Sequence, residues 1–422
     1  MEFSSRIQGF HKLSQEERIN KIKELCQLSQ DDVDVLLVKT PALDLFDRMI
    51  ENNIGVMQVP IGVATNFIID GKERLVTMAV EEASVVAAAS NAARMTRPHG
   101  GFFTSSTGSH MIGQIQVLDV TAPEFAAQEV LSNKQKILDL ANEQDPILVK
   151  FGGGAVDLET RIIGSAIGDM LVIHLIVNTL DAMGANAVNT MAEAVAPLIE
   201  EITGGNVRLR ILSNLADRRI VRARAIFDKE LLGGDDVVDG IIEAWAFADA
   251  DPYRAATHNK GIMNAISAIT LATANDWRAI EAGAHAYAAR NGYYGSLTTY
   301  EITDDGHLAG TIELPLALGT IGGATKIHPT AQVNLKIMGV TGAQDLASIV
   351  ASVGLAQNLA ALRALATEGI QKGHMKLHAR NLAAQAGAVG DEVDLVAKKM
   401  VEEGKVRADR AAEILEEIRK QA

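Results

Sequence analysis

The sequence predicts an α+β fold with more than one domain, and three observations point there. At 422 residues the chain exceeds what one ordinary core organises, so two or three domains are expected. Residues 109–216 read β-α-β-β-α-β, the order of a ferredoxin-like split βαβ unit. The flanking segments differ in texture, with short capped helices and a hairpin before the unit and long alanine-rich helices after it. With 48% hydrophobic, 22% charged and only 4% aromatic residues, the chain is a packed protein. Close helix packing and glycine-built turns, rather than aromatic clusters, should carry its architecture.

Residues 14–50 read as short helices. Ser14 followed by Glu17, and Ser29 followed by Asp32, have capping-box spacing ahead of apolar periodicity. VMQVPIGVATNFIIDGKERLVTMAV alternates apolar residues around a DGK turn, which predicts a hairpin. It runs into EEASVVAAASNAARM, a small-residue helix with two carboxylates at its entrance. From about Gly108, IGQIQVLDV predicts a strand and EFAAQEVLSNKQKILDLANEQ a helix. AVDLETRIIG and MLVIHLIVNTL predict two more strands, NAVNTMAEAVAPLIEEITGG a helix with a glycine stop, and VRLRILSNLA a final strand. Long helices are expected at 236–250, 260–290 and 343–368, and two amphipathic charged helices joined near Gly404 close the chain.

The formal charge of −14 argues against nucleic acid as the main partner, because phosphate binding needs a basic face. The single cysteine, Cys26, leaves no intramolecular disulfide and fits a reducing compartment. The N-terminal residues lack an apolar signal core, and no uncharged apolar run is long enough to span a bilayer, so a cytoplasmic protein with no membrane partner is expected. No G-x-G-x-x-G follows a strand, no Walker A pattern or G-x-S-x-G occurs, and no metal-ligand spacing emerges from the ten histidines. FGGGAVD at 151–157 reads as a turn opening a strand.

Four segments could carry chemistry. Glu81-Glu82 lies between an apolar strand and an apolar helix; a buried Glu82 would have its pKa raised and donate protons near neutrality. The plainer reading is an acidic pair stabilised by the helix dipole. Arg254, His258, Lys260, Asn264 and Asp276 fall in one stretch, where Lys260 could stabilise an oxyanion and Asp276 would need a cationic partner. A structural ion pair is the alternative. GHMKLH sets His374 and His378 four apart, suiting a general acid or an ordinary surface pair. DAMGAN follows a strand and enters a helix whose N-terminus could meet a pyrophosphate, or could simply make a tight turn.

Taken in order, these segments resemble one family, the hydroxymethylglutaryl-coenzyme A reductases, and most closely its class II (soluble bacterial) form. ENNIG at 51–55 is similar to the family's ENVIG element, VEEASVVAAAS to its glutamate motif and DAMGAN to its cofactor motif. HNKGIMNA and ANDWRAIEAGAHA resemble its lysine and aspartate motifs, and GTIGGATK (319–326) and GHMKLHARN (373–381) complete a collinear set. The resemblance implies a large substrate-binding and dimerisation domain around a long central helix (1–108 and 217–368), an inserted ferredoxin-like NAD-binding domain (109–216) and a C-terminal flap (369–422).

It also implies the reaction, a four-electron reduction of the HMG-CoA thioester to mevalonate and coenzyme A, reversible in mevalonate breakdown. Lys260 would stabilise the oxyanion, Glu82 protonate the carbonyl oxygen, Asp276 tune that pair and His374 protonate the departing thiolate, which leaves more readily with acid assistance. Ser84, Arg254, Asn264 and Asn358 match substrate-binding positions. Asp181, Met183, Gly184, Asn186 and Asn214 match dinucleotide-binding positions, and no metal is implied. Asp145 falls where a carboxylate would meet the adenosine ribose, which favours NADH, with NADPH as the alternative. The family's sites form across an obligate homodimer, with a higher oligomer also open. Two departures stand out: ENNIG for ENVIG, and Pro146 directly after Asp145.

Overall fold

The computed structural model describes residues 4–37, 43–367 and 370–421. Three short helices lead: α1 (Gln15–Cys26), α2 (Gln30–Leu36) and α3 (Leu43–Met49). Ser14 and Ser29 form both capping boxes that their spacing predicts. The hairpin follows as β1 (Ile61–Ile69) and β2 (Lys72–Ala79), turning through Asp70 and Gly71 at φ 49° and 75°. A two-residue turn with both residues left-handed matches the twist of paired strands. The chain continues through α4 (Val85–Thr96) and β3 (Phe102–Ser106).

The second unit comprises β4 (His110–Leu118), α5 (Pro123–Ser132), α6 (Lys134–Asn142), α7 (Pro146–Lys150), β5 (Gly154–Ser165), β6 (Gly168–Asn178), α8 (Ala185–Thr203) and β7 (Asn206–Leu212). Its sheet runs β5-β6-β4-β7 with every pair antiparallel. This is the pairing that a split βαβ order produces. The single helix expected after β4 is instead broken at Asn133. There the backbone leaves the helix (φ −96°, ψ 11°), and both the side-chain amide and the backbone N–H of Asn133 donate to Glu129 O.

The remainder runs β8 (Ile220–Phe227), α9 (Lys229–Leu232), α10 (Asp235–Ala250), α11 (Pro252–Ala272), α12 (Trp277–Ala288), β9 (Thr298–Ile302), β10 (Leu308–Pro315), α13 (Gly323–Ile327), α14 (Pro329–Met338), α15 (Ala343–Ala366), α16 (Ile370–Gln385), α17 (Asp391–Glu402) and α18 (Ala408–Gln421). The six-stranded sheet, β2-β1-β3-β8-β10-β9, joins strands from before and after the second unit, with β3 and β8 paired antiparallel from Phe102↔Ala225 to Ser106↔Val221. The long helix expected over 260–290 divides into α11 and α12, because Ala274 takes φ 51° and Asp276 starts a new helix.

At about 36 Å, α15 is the longest helix. Among the described residues it alone is long and apolar enough to cross a membrane, yet 67% of its apolar window is buried inside the molecule. It packs against α4, α10, α11 and the six-stranded sheet. A Cβ at Gly354 would lie 2.9 Å from Ile266 Cδ1 of α11, so glycine sets that helix–helix approach. Helices α16–α18 hold a separate small core of Ala379, Leu382, Val396, Met400, Ile414 and Leu415.

Candidate active site

A cavity of about 410 Å³ opens between the end of β2, α11 and the start of α12. Ala79, Glu81, Glu82, Lys260, Asn264, Ser267, Trp277, Glu281 and His285 are among its lining residues. The chain leaves β2 and reaches α4 through Ser84, which holds φ 81° and ψ −25°. A non-glycine residue in that region costs energy and persists only where its surroundings enforce it. The turn sets Glu82 over the cavity. One helix face of α11 supplies both Lys260 and Asn264.

Lys260 Nζ donates to Glu82 Oε2 at 3.3 Å, joining residues 178 positions apart. The Glu82 side chain retains 36% of its surface exposure and Lys260 62%, so a single chain leaves both partly open. Asp276 stands at the cavity's edge beside Trp277, but its carboxylate accepts from the backbone N–H of Arg278 and Ala279, both at 3.1 Å. Its cationic neighbour is Arg278, 3.6 Å away, and not Lys260. His374 falls in α16, with its side chain outside the described residues, whereas His378 is exposed.

The expected substrate residues separate into two groups. Asn264 lines the cavity, Ser84 is the N-cap of α4 two residues beyond Glu82, and Arg254 lies in the first turn of α11. Among the described residues Arg254 has no salt bridge, and burial lowers its pKa, so this half-buried guanidinium is available to an anion. Asn358 is fully buried on α15. Its Oδ1 accepts from the hydroxyls of Thr298 and Tyr300, each at 2.9 Å, and its Nδ2 stands 3.2 Å from His258 Nε2. Its polar atoms are thus engaged in the core.

The DAMGAN segment turns from β6 into α8. Gly184 is the N-cap at φ 100°, and a Cβ there would lie 2.2 Å from Thr179 Cγ2. No side chain caps α8, so its first-turn N–H groups remain available to an anion. Asn186 is exposed on that first turn. Met183 backs onto Gly319, where a Cβ would lie 2.6 Å from Met183 N. Asp181 has a structural partner, since its Oδ1 accepts from Ala343 N at 2.7 Å and so caps α15. Asn214 lies exposed beyond β7, its carbonyl 2.6 Å from where a Gly283 Cβ would stand. Asp145 caps α7 through a 2.9 Å bond from Leu148 N, and Pro146 occupies the first helical position, where its missing N–H costs nothing. One Asp145 oxygen is committed to that cap.

Sequence reasoning missed two groups here. Arg219, 3% exposed, donates to Thr179 Oγ1 (3.1 Å), Ala182 O (3.0 Å) and Leu318 O, binding the DAMGAN turn to the GTIGG segment. Burial lowers its pKa to about 10. The signal was a charged residue opening an apolar strand. Opposite Lys260, Glu281 accepts from Ser267 Oγ (2.5 Å) and contacts His285 Nε2 (3.0 Å), whose Nδ1 meets Tyr294 Oη at 2.7 Å. Burial raises the Glu281 pKa, but the His285 and Ser267 hydrogen bonds outweigh it and the carboxyl ends below its ordinary value. A helical i, i+4 Glu–His pair was visible in ANDWRAIEAGAHA.

Comparison with known proteins places this geometry in context. The family model for hydroxymethylglutaryl-coenzyme A reductase matches residues 14–379. The 3-hydroxy-3-methylglutaryl-coenzyme A reductase of Archaeoglobus fulgidus is 61% identical over 416 residues, covering 99% of this chain and 95% of that protein. A solved structure of the Streptococcus pneumoniae reductase superposes with a TM-score of 0.84 at 39% identity, covering 97% of this chain and 99% of that one. A second, of the class II enzyme from the same organism bound to NADPH in open conformations, gives 0.83 at 40% identity, covering 85% and 99%.

Proposed function

The chain belongs to the hydroxymethylglutaryl-coenzyme A reductase family in its class II form, oxidoreductases of the mevalonate pathway, and we propose that Glu82, Lys260, Asp276 and His374 perform its chemistry. The observation that carries this reading is the 3.3 Å Glu82–Lys260 contact at the cavity wall. A nicotinamide cofactor held by the 109–216 unit would supply one hydride at a time to the thioester carbon, so the full four-electron reduction would consume two NADH. Lys260 stabilises the negative charge that develops on the carbonyl oxygen, and Glu82 delivers the proton to it. The C–S bond breaks between the two reductions, and His374 protonates the departing coenzyme A thiolate. Asp276, freed from part of its helix cap, orients the pair.

Arg254 would take the substrate carboxylate, with Ser84 and Asn264 holding the acyl region. Asn358 supports that site from the core, through the His258–Thr298 network, rather than by reaching the cavity. Residues 109–216 would form the cofactor domain, with the pyrophosphate on the α8 N-terminus at Gly184 and Asn186, shaped by Asp181 and Met183, and Asn214 facing it from beyond β7. Residues 1–108 with 217–368 would form the substrate domain and 369–422 the flap. A homodimer is supported by the exposed Ile50, Ile54, Val56 and Met57, which present apolar surface before β1, and by the incomplete burial of Glu82. A cytoplasmic location fits the lone reduced cysteine.

The cofactor proposed is NADH. A carboxylate at Asp145 suits a free ribose 2′-hydroxyl and repels a 2′-phosphate. The NADPH-bound Streptococcus relative favours the second reading, a biosynthetic enzyme preferring NADPH. Measuring kcat/KM for both cofactors, in the reductive direction and in mevalonate oxidation, decides between them. A strong NADPH preference would remove Asp145 from the role given to it.

A further inference from the structure

Away from the cavity, three residues remote in sequence converge on one point. His99 closes the turn after α4, Asp228 is the N-cap of α9 at the end of β8, and His307 ends the β9–β10 turn. His99 Nε2 lies 3.3 Å from Asp228 Oδ2, His307 Nδ1 lies 3.9 Å from the same oxygen, and all three atoms fall within 4.8 Å of one another. We propose that His99, Asp228 and His307 form a site for one divalent transition-metal ion of the zinc, cobalt or nickel class.

The donor set supports that class. Two imidazole nitrogens and one carboxylate suit these ions, whereas magnesium and calcium prefer oxygen donors. Ligands about 2.0–2.1 Å from a tetrahedral ion stand roughly 3.3 Å apart, so the first pair is already spaced for one, and His307 needs only a small approach. The groups are pre-oriented. Asp228 Oδ1 accepts from Leu231 N at 3.1 Å, which leaves Oδ2 facing the two rings. Lys229 N–H donates to His307 Nδ1 at 3.2 Å, so that nitrogen is unprotonated and its lone pair is held by the amide. An incoming ion would take this lone pair and release a first-turn amide of α9, which has no intrahelical acceptor in any case. It would also displace the proton on His99 Nε2. The nearby Lys229 ammonium is held by Asp235 at 3.3 Å and does not cancel the site's charge. Side-chain exposures of 18–23% leave an entry path and an open coordination position. His99 lies some fifteen residues along α4 from Ser84, roughly 20 Å, so the ion would tie α4, β8 and the β9–β10 turn together without joining the reaction.

The test titrates chelator-stripped, untagged full-length protein with Zn²⁺, and with Co²⁺ to read coordination from its visible spectrum. One equivalent should bind, with a tetrahedral-type cobalt spectrum and a rise of a few degrees in Tm. His99→Ala and His307→Ala should each weaken binding at least about tenfold while leaving metal-free reductase turnover unchanged. Asp228→Asn, which keeps the helix cap, should do the same if an alanine variant fails to fold. Substoichiometric binding, binding indifferent to these substitutions, or equal retention of Mg²⁺ would overturn the proposal.

Discussion

Lys260 and Glu82 meet from segments 178 residues apart, and neither is buried enough for its charge to be costly to the fold. Replacing Lys260 should therefore act on chemistry and not on folding: Lys260→Ala should lose at least about a hundredfold in kcat at unchanged Tm. Turnover like that of the unmodified enzyme would exclude the oxyanion role. His258, two positions earlier, obeys the opposite logic. It is 2% exposed, and burial, with the Arg254 charge adding to it, pushes its pKa down to about 3. Its Nε2 stands 2.8 Å from Thr298 Oγ1, 2.9 Å from Ser296 Oγ and 3.2 Å from Asn358 Nδ2, while its buried Nδ1 has no partner among the described residues. The ring stays neutral when folded and binds a proton when unfolded below its ordinary pKa of about 6.5. Its contribution is full above that pH and falls by roughly 1.4 kcal/mol per unit as the pH drops toward 3. Plotting Tm against pH between 7 and 5 should give a shallower slope for His258→Asn, and parallel slopes would assign the acid sensitivity elsewhere. The sequence placed both residues in one motif but could not say which faced the cavity.

The turn into α8 concentrates the cofactor argument in one element. Gly184→Ala would force a side chain into a left-handed backbone and against Thr179 Cγ2, a strain of about 1–3 kcal/mol before the clash is relieved. Such a change displaces the open N–H groups of α8, so KM for the nicotinamide cofactor should rise several-fold while KM for HMG-CoA stays constant. Equal changes in both would detach the turn from the cofactor. Elements with strong local signals were legible: both capping boxes, the Asp70-Gly71 hairpin, α8 with its glycine stop at Gly204, and the Gly404 turn. The misses have physical causes. In β8 the inward positions include Ala223 and Ala225, too small to give a clear alternating pattern. The breaks at Asn133 and at Ala274 need no proline or glycine, so nothing in composition marked them.

At the level of the whole molecule, the C-terminal helices stand on a core of their own, distinct from the one around α15. Removing residues 370–422 should leave a body that melts near the intact protein but lacks the acid proposed at His374, and so should stall where coenzyme A must leave. Thermal melting and a turnover assay check both halves of this expectation, and retained full activity would place the acid elsewhere. The same independence explains why two amphipathic helices could be read from the sequence while their seat on the rest of the molecule could not.

Collinear motifs were enough to determine the reaction class, because catalysis requires particular functional groups and those are written directly in the residues. Periodicity was enough for the order of strands and helices within 109–216, although only β5 and β6 are neighbours in the chain, and β4 meets β7 nearly a hundred residues on. Only the tertiary structure decided what those groups touch. It joined β3 to β8 across the second unit, turned Asn358 into the core, committed Asp181 and Asp276 to helix caps, and brought Arg219 and Glu281 into play. Most of these outcomes depend on contacts between segments well apart in the chain or on the competition of one carboxylate between two partners. No local pattern encodes such choices, since they are settled by which arrangement buries the apolar surface while leaving buried polar groups bonded.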